Sequence, residues 1–231
     1  MLTEPTLDAA RQALDQSLVE ALNAAIAHRL ATPDIPTPDA DALMLRELLE
    51  RAADYRQRSI LKALHGRMGA LNGPALVACG PEAGVLTADR YGALRSVETS
   101  DAALAEAGRG VRAVIDIASS RPWWGRLLAQ PELRVIGALG DDRNGLPRAL
   151  MISTETSGPT GDDRSFWVTD SSLADARIGE ALAVVGLAGH LLTATGGLKL
   201  FMLAGYVQAD DRRLDQAPGS LKGVIGAAPV F

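Results

Sequence analysis

The sequence predicts an α+β multidomain protein: an N-terminal all-helical domain (residues 1–73), a single α/β lobe (74–153) and a C-terminal βαββαβ unit (154–231). Three observations lead to this prediction. Apolar residues recur at helical spacing before Pro74, and short apolar runs alternate with helical patterns after it. A segment rich in Ser, Thr, Gly and Pro, TETSGPTGD, then separates the last two parts.

Composition narrows the class of protein. Of the 231 residues, 47% are hydrophobic and 22% are charged, which is typical of a chain with a buried core and excludes extensive disorder. A net charge of −5 argues against a partner nucleic acid. One cysteine and three scattered histidines predict no disulfide, metal or other cofactor. The sequence shows neither a signal peptide nor a long apolar stretch, so we expect a cytoplasmic protein that does not enter the membrane.

Three helices are predicted in the N-terminal part, over residues 5–30, 38–55 and 55–71. The first has one apolar stripe, and Asn72-Gly73-Pro74 ends the third. Three short helices bury little apolar surface by themselves. We therefore expect a homodimer formed through residues 7–30 and 55–72.

The rest of the chain alternates strands with helices. The lobe is predicted to contain strands 75–79, 95–97, 111–117, 133–139 and 149–153, with helices over 86–91 and 101–108. The C-terminal part is predicted to have strands 165–169, 191–195, 199–207 and 224–230, with a helix over 172–186. The Gly196-Gly197 pair predicts a hairpin turn. This element order is the ferredoxin-like plan.

Several segments resemble a known fused protein. LDAARQALD resembles the opening helix of the all-helical chorismate mutases. ALVACGPEAG and PRALMISTETSGPTGDDRSFWVTD resemble segments of prephenate dehydratases, and GVIGAAPVF is similar to the end of an ACT domain. The chain thus resembles a chorismate mutase fused to a truncated prephenate dehydratase-like lobe and a degenerate ACT-like domain.

The resemblance implies a function and a site. Chorismate mutases convert chorismate to prephenate in phenylalanine and tyrosine biosynthesis, and they hold a small-molecule dicarboxylate with cationic side chains. It implies that Arg11, Arg29 and Asn72 are catalytic, and that His28 and Arg148 bind the substrate. Arg11 and Arg29 are about five helical turns apart and share a face, which a solvated surface explains equally well.

The departures from the family pattern define the alternatives. Pro147 stands where the dehydratase motif has its hydroxyl residue, so we expect no dehydratase activity. Most mutase positions are also replaced, which predicts weak or altered activity. The alternatives are a non-catalytic descendant that binds an aromatic-pathway metabolite or a partner enzyme, and a structural protein without a ligand.

Two further motifs have a structural and a functional interpretation. The Trp123-Trp124 pair either packs in a lobe or domain interface or stacks on the ring of a ligand. The segment GPEAG is a turn between a strand and a helix, and its backbone amides can hold a carboxylate at the helix start.

Overall fold

The structure of the chain is a computed structural model that describes residues 9–31, 36–92 and 94–231, without the side chains of residues 21, 25–31 and 72. The helices of the described residues are α1 (Ala9–Ala31), α2 (Pro38–Glu50), α3 (Tyr55–Asn72), α4 (Pro81–Tyr91), α5 (Ser100–Ala107) and α6 (Asp175–Val184). Two 3-10 helices span Trp123–Ala129 and Arg212–Gln216. The strands are β1 (Leu76–Cys79), β2 (Arg95–Ser96), β3 (Arg112–Asp116), β4 (Arg134–Leu139), β5 (Ala149–Ser153), β6 (Asp163–Thr169), β7 (Gly189–Thr195), β8 (Leu198–Ala204) and β9 (Lys222–Pro229).

Local sequence features set the helix ends. The Asp54 side chain accepts the Gln57 amide hydrogen at the start of α3, and the Thr99 side chain accepts that of Ala102 at the start of α5. Pro81 lies in the first turn of α4, where its missing N–H costs nothing. For this reason α4 begins directly after β1, earlier than the sequence analysis placed it.

All nine strands form one mixed sheet in the order β2-β1-β3-β5-β4-β9-β6-β8-β7. Strands β2, β1 and β3 are parallel, and α4 and α5 connect them. The two helices pack on opposite faces of the sheet, because Ala83 of α4 and Leu104 of α5 belong to different core clusters. From β3 to β4 and from β9 to β7 the neighbouring strands are antiparallel.

The two halves of the sheet meet where β4 and β9 lie side by side. These strands are parallel, and the β-ladder between them consists of one residue pair, Val135 and Gly226. Gly226 has a φ of +136°, and a Cβ atom at this position would lie 2.3 Å from the Val135 carbonyl oxygen. Only glycine allows the two backbones to approach this closely.

One hydrophobic core spans this junction. The fully buried rings of Trp123 and Trp124 pack edge to face, with their centroids 5.9 Å apart. They belong to one cluster with Val135 of β4, Phe166 of β6 and Ile225 of β9. The tryptophan pair therefore lies in the core that joins the two halves, away from solvent.

The predicted fold class, a multidomain protein with a separate helical domain, a lobe and a ferredoxin-like unit, is wrong. The predicted C-terminal strands form, but β9 lies between β6 and β4 and continues the sheet of the lobe, so no separate ferredoxin-like domain exists among the described residues. Helices α2 and α3 pack together and against the body of the protein, where Leu45, Leu49 and Leu61 form a cluster with Phe231. They do not form a separate all-helical domain.

Candidate functional site

A cavity of about 400 Å³ opens where α3 and α4 cross the end of β4. Tyr55, Ser59 and Lys62 of α3 line one side of it, and Asp89 and Arg90 of α4 line another. The end of β4 and the residues that follow it close the cavity together with Arg148, Arg164 and Phe231. A volume of this size is typical of pockets that hold small molecules.

The cavity carries an excess of positive charge. Its cationic side chains are Lys62, Arg90, Arg148 and Arg164, and its acidic side chains are Asp89 and Asp141. Two of these groups neutralise each other, because Arg164 Nη2 lies 2.8 Å from a carboxylate oxygen of Asp141. We call this cavity, defined by these six charged residues, the cationic cavity.

Arg164 is buried and Arg90 is partly buried. Arg164 is 6% exposed, and its Nη1 donates to the Gly145 carbonyl oxygen at 3.1 Å. The guanidinium of Arg90 lies over the rings of Tyr91 and Phe231, 5.7 Å and 5.4 Å from their centroids. In both residues the buried Nε has no hydrogen-bond partner among the described residues. Their charge is thus only partly compensated by the protein.

Arg148 connects the cationic cavity to the start of α4. Its Nε donates to the Gly140 carbonyl oxygen at 2.9 Å, and its Nη1 donates to the Glu82 carboxylate at 2.6 Å. About half of each side chain of this ion pair is exposed, at 49%. The pair leaves the second Nη of Arg148 without a partner among the described residues.

The first turn of α4 also binds a carboxylate of the protein itself. The amides of Ala83 and Glu82 donate to Asp116, at 2.5 Å and 3.3 Å. Burial raises the pKa of Asp116 above its usual value, and although the two amides lower it, the Glu82 charge raises it again. The GPEAG amides thus hold a carboxylate of the protein itself, that of Asp116.

Cys79 lies beside this carboxylate at the end of β1. It is 8% exposed and belongs to the hydrophobic core. Burial raises the pKa of its thiol, and the Asp116 charge raises it further. The thiol is therefore protonated at neutral pH and is a weak nucleophile.

The structure places the predicted site residues in different surroundings. Arg11 Nη2 lies 2.8 Å from the Asp54 carboxylate on an exposed surface, and Arg11 does not line the cationic cavity. Arg148, which follows the buried Pro147, does line it. The side chains of His28, Arg29 and Asn72 lie outside the described residues. The proposed grouping of these five residues into one site stays a prediction.

Sequence reasoning missed Lys62, Arg90 and Arg164. Their common location depends on how α3, α4 and β6 pack, which local periodicity does not reveal. Two signals were present in the sequence. Tyr55, Ser59 and Lys62 share one helix face at intervals of four and three residues, and Lys62 is one of only three lysines among 23 basic residues.

Two further properties concern metals and membranes. Within the described ranges, no group of three or more His, Cys, Asp or Glu side chains is placed to hold a metal ion. No helix in that same part of the chain combines the length and the apolar character needed to cross a membrane.

Comparison with known proteins gives only distant structural likenesses. No family model matches the chain, and no curated protein matches it. One similar solved structure is described as "GqqA- a novel type of quorum quenching acylases". It is 15% identical, covers 68% of this chain and 95% of its own, and has a TM-score of 0.44.

A second distant neighbour is the prephenate dehydratase from Staphylococcus aureus subsp. aureus Mu50. It is 11% identical, covers 67% of this chain and 99% of its own, and also has a TM-score of 0.44. Neither structure is described as a chorismate mutase or an ACT domain. Likenesses at this level assign neither a family nor an activity to the chain.

Proposed function

We propose that the protein binds a small organic dicarboxylate in the cationic cavity. The observation that carries this proposal is the excess of cationic side chains, since four cationic and two acidic side chains line the same cavity. A dianion is attracted to this excess more strongly than a monoanion. Charge-assisted hydrogen bonds to carboxylates are the strongest that such side chains make.

The partners of each cation suggest how the anion is held. Arg164 already binds Asp141 and the Gly145 carbonyl oxygen. It therefore attracts the anion through its positive charge more than through a direct hydrogen bond. Arg148 retains a free Nη in the described structure and lies half-exposed at the opening. Arg148 is therefore the side chain placed to donate directly to a carboxylate at the mouth of the cavity.

Isothermal titration calorimetry with glutarate, a simple dicarboxylate, tests the proposal. We expect saturable binding that weakens with added salt, and no binding of the neutral analogue glutaramide. Replacing Arg148 with Ala removes a charge-assisted contact, so the Kd should rise at least about tenfold. The matched control is Arg177→Gln, because Arg177 is exposed on α6 and pairs with the nearby Glu180.

Three results would contradict the proposal. The first is no heat of binding with glutarate at about 10 mM, a concentration far above a typical ligand Kd. The second is equal weakening by Arg148→Ala and Arg177→Gln, which would indicate non-specific attraction. The third is equal affinity for glutarate and glutaramide, which would show that charge does not determine binding.

A further inference from the structure

Lys62 occupies an unusual position for a lysine. It lies in the middle of α3 and lines the cationic cavity, and its Nζ donates to the Phe231 carbonyl oxygen at 2.9 Å. No Asp or Glu side chain among the described residues forms an ion pair with it. Beside this single hydrogen bond, Nζ is left to interact with the contents of the cavity that Lys62 lines.

The surroundings of Lys62 favour its neutral form. Burial lowers the pKa of Lys62 below the ordinary value of 10.5, and the charges of Arg90, Arg58 and Arg164 lower it further, against an opposing effect of Asp141. A lysine that is desolvated and surrounded by cations is a better nucleophile than an ordinary lysine, because more of it is unprotonated at neutral pH.

The other two lysines provide a comparison within the same chain. Lys199 Nζ forms an ion pair with the Asp175 carboxylate at 2.7 Å. Lys222 Nζ donates to the carbonyl oxygens of Asp215 and Ala217. Neither of these lysines lines the cationic cavity.

We propose that Lys62 is a nucleophilic amine that forms an imine with the carbonyl group of a 2-oxo acid bound in the cationic cavity. This inference rests on the proposed function and narrows its ligand class, since the ligand must carry a ketone or aldehyde beside a carboxylate. The cations provide the attraction for the carboxylate, and Lys62 provides the group that reacts with the adjacent carbon.

The reaction balances without any oxidant or reductant. The lone pair of neutral Nζ forms a bond to the carbonyl carbon, and the carbonyl oxygen takes up a proton. The resulting carbinolamine then loses water, because the C–O bond breaks as the nitrogen lone pair forms the C=N bond. Both hydrogens of the neutral amine leave with the oxygen as that water molecule.

Reductive trapping tests this inference. The full chain is incubated with 2-oxoglutarate and sodium cyanoborohydride at neutral pH, so that hydride converts any imine to a stable secondary amine. Peptide mapping by mass spectrometry then measures the adduct on each of the three lysines. We expect at least about tenfold more adduct on Lys62 than on Lys199 or Lys222, and at least about tenfold less with acetone, which has a carbonyl group but no carboxylate.

Two variants sharpen the result. Lys62→Arg retains a positive charge but has no reactive amine, so it should lose the adduct while its circular dichroism spectrum shows that it is folded. Lys199→Arg alters a lysine outside the cavity and should leave trapping at Lys62 unchanged. An adduct spread equally over all three lysines, or one of the same size with acetone, would overturn the inference.

The failure of this inference can be distinguished from the failure of the proposed function. Glutarate has no ketone and cannot form an imine, so its calorimetric binding reports on the cavity alone. Glutarate binding without a Lys62 adduct would refute the imine and leave the dicarboxylate proposal in place. A lack of both would refute the proposed function.

Discussion

Arg112 and Glu155 form a two-point ion pair. Arg112 Nε donates to one oxygen of the Glu155 carboxylate at 2.6 Å, and Nη2 donates to the other at 2.7 Å. The two side chains are only 14% and 23% exposed, and they join the start of β3 to the segment after β5. Such a pair costs much more to break than a surface pair, because removal of one partner leaves a poorly solvated charge.

Replacing Glu155 with Gln should therefore destabilise the protein at neutral pH. Loss of one partner of a buried pair costs about 3–5 kcal/mol, and partial exposure reduces our expectation to about 2 kcal/mol. Burial raises the pKa of Glu155, but the hydrogen bonds and charge of Arg112, with the Ser153 hydroxyl, lower it overall below 4.5. Urea unfolding gives the free-energy difference between the two proteins.

The pH dependence of that difference has a definite sign. The folded-state pKa of Glu155 is depressed, so its stabilisation is fully present above the unfolded pKa and is lost as pH falls through the folded pKa. We expect the gap in stability between wild type and Glu155→Gln to shrink as the pH falls below about 4.3. A gap that is constant from neutral pH to acid would show that the charge of Glu155 does not stabilise the fold.

The junction of β4 and β9 predicts a large effect of Gly226→Ala. The added Cβ would lie 2.3 Å from the Val135 carbonyl oxygen and 2.4 Å from its nitrogen, so the strands would have to separate. We expect a loss of at least about 3 kcal/mol in the free energy of unfolding. Gly110→Ala is the matched control, because Gly110 has a φ of +86° but nothing within 4 Å of its Cβ position. The control should cost only about 1 kcal/mol, and equal losses in the two variants would contradict close approach as the cause.

The homodimer through residues 7–30 and 55–72 stays a prediction. Exposed apolar side chains on α1 and α3 show which substitutions would test it. Leu14 and Val19 of α1 are 50% and 49% exposed, and Ile60 of α3 is 57% exposed. Sedimentation equilibrium at tens of micromolar should show a dimer that Leu14→Asp combined with Val19→Asp converts to monomer. Val184→Asp is the control, since Val184 is 85% exposed on α6, outside the predicted interface. A monomeric wild type would refute the prediction.

Chorismate mutase activity also stays a prediction. If Arg11 clamps a substrate carboxylate, Arg11→Ala should reduce weak mutase turnover at least about tenfold. The assay follows chorismate loss together with prephenate formation. In the described structure Arg11 binds Asp54, so Asp54→Asn serves as a companion that frees Arg11 without removing it. Turnover that is unaffected by Arg11→Ala would show that Arg11 has no role in the reaction.

The element order could be predicted from the sequence because it depends on local features. Helical spacing in the leucines and the Gly196-Gly197 turn between β7 and β8 are both visible within a few residues. The predicted helices and strands are accordingly confirmed, with shifts of a few residues at their ends. Helix α2, for example, ends at Glu50, five residues earlier than predicted, and Asp54 then caps the next helix.

The arrangement of the strands in one sheet could not be predicted, because it depends on contacts between residues that are distant in the sequence. The same strand pattern fits a small separate domain or an extension of a larger sheet. The pairing of Gly226 with Val135, 91 positions away along the chain, joins β9 to β4 and so extends the larger sheet. Likewise Arg148 was expected to bind substrate by resemblance, whereas its proximity to Lys62 and Arg164 comes from packing alone.

Strand β9 comes last in the chain order of the strands, yet it lies between β4 and β6 near the middle of the sheet. During synthesis on the ribosome, both neighbouring strands therefore emerge before the strand that separates them. Their facing edges stay open until then, and open edges pair readily with other strands. A nascent chain of this protein thus passes through a stage in which chaperones would protect it from incorrect pairing, and slow translation after β8 would prolong that stage.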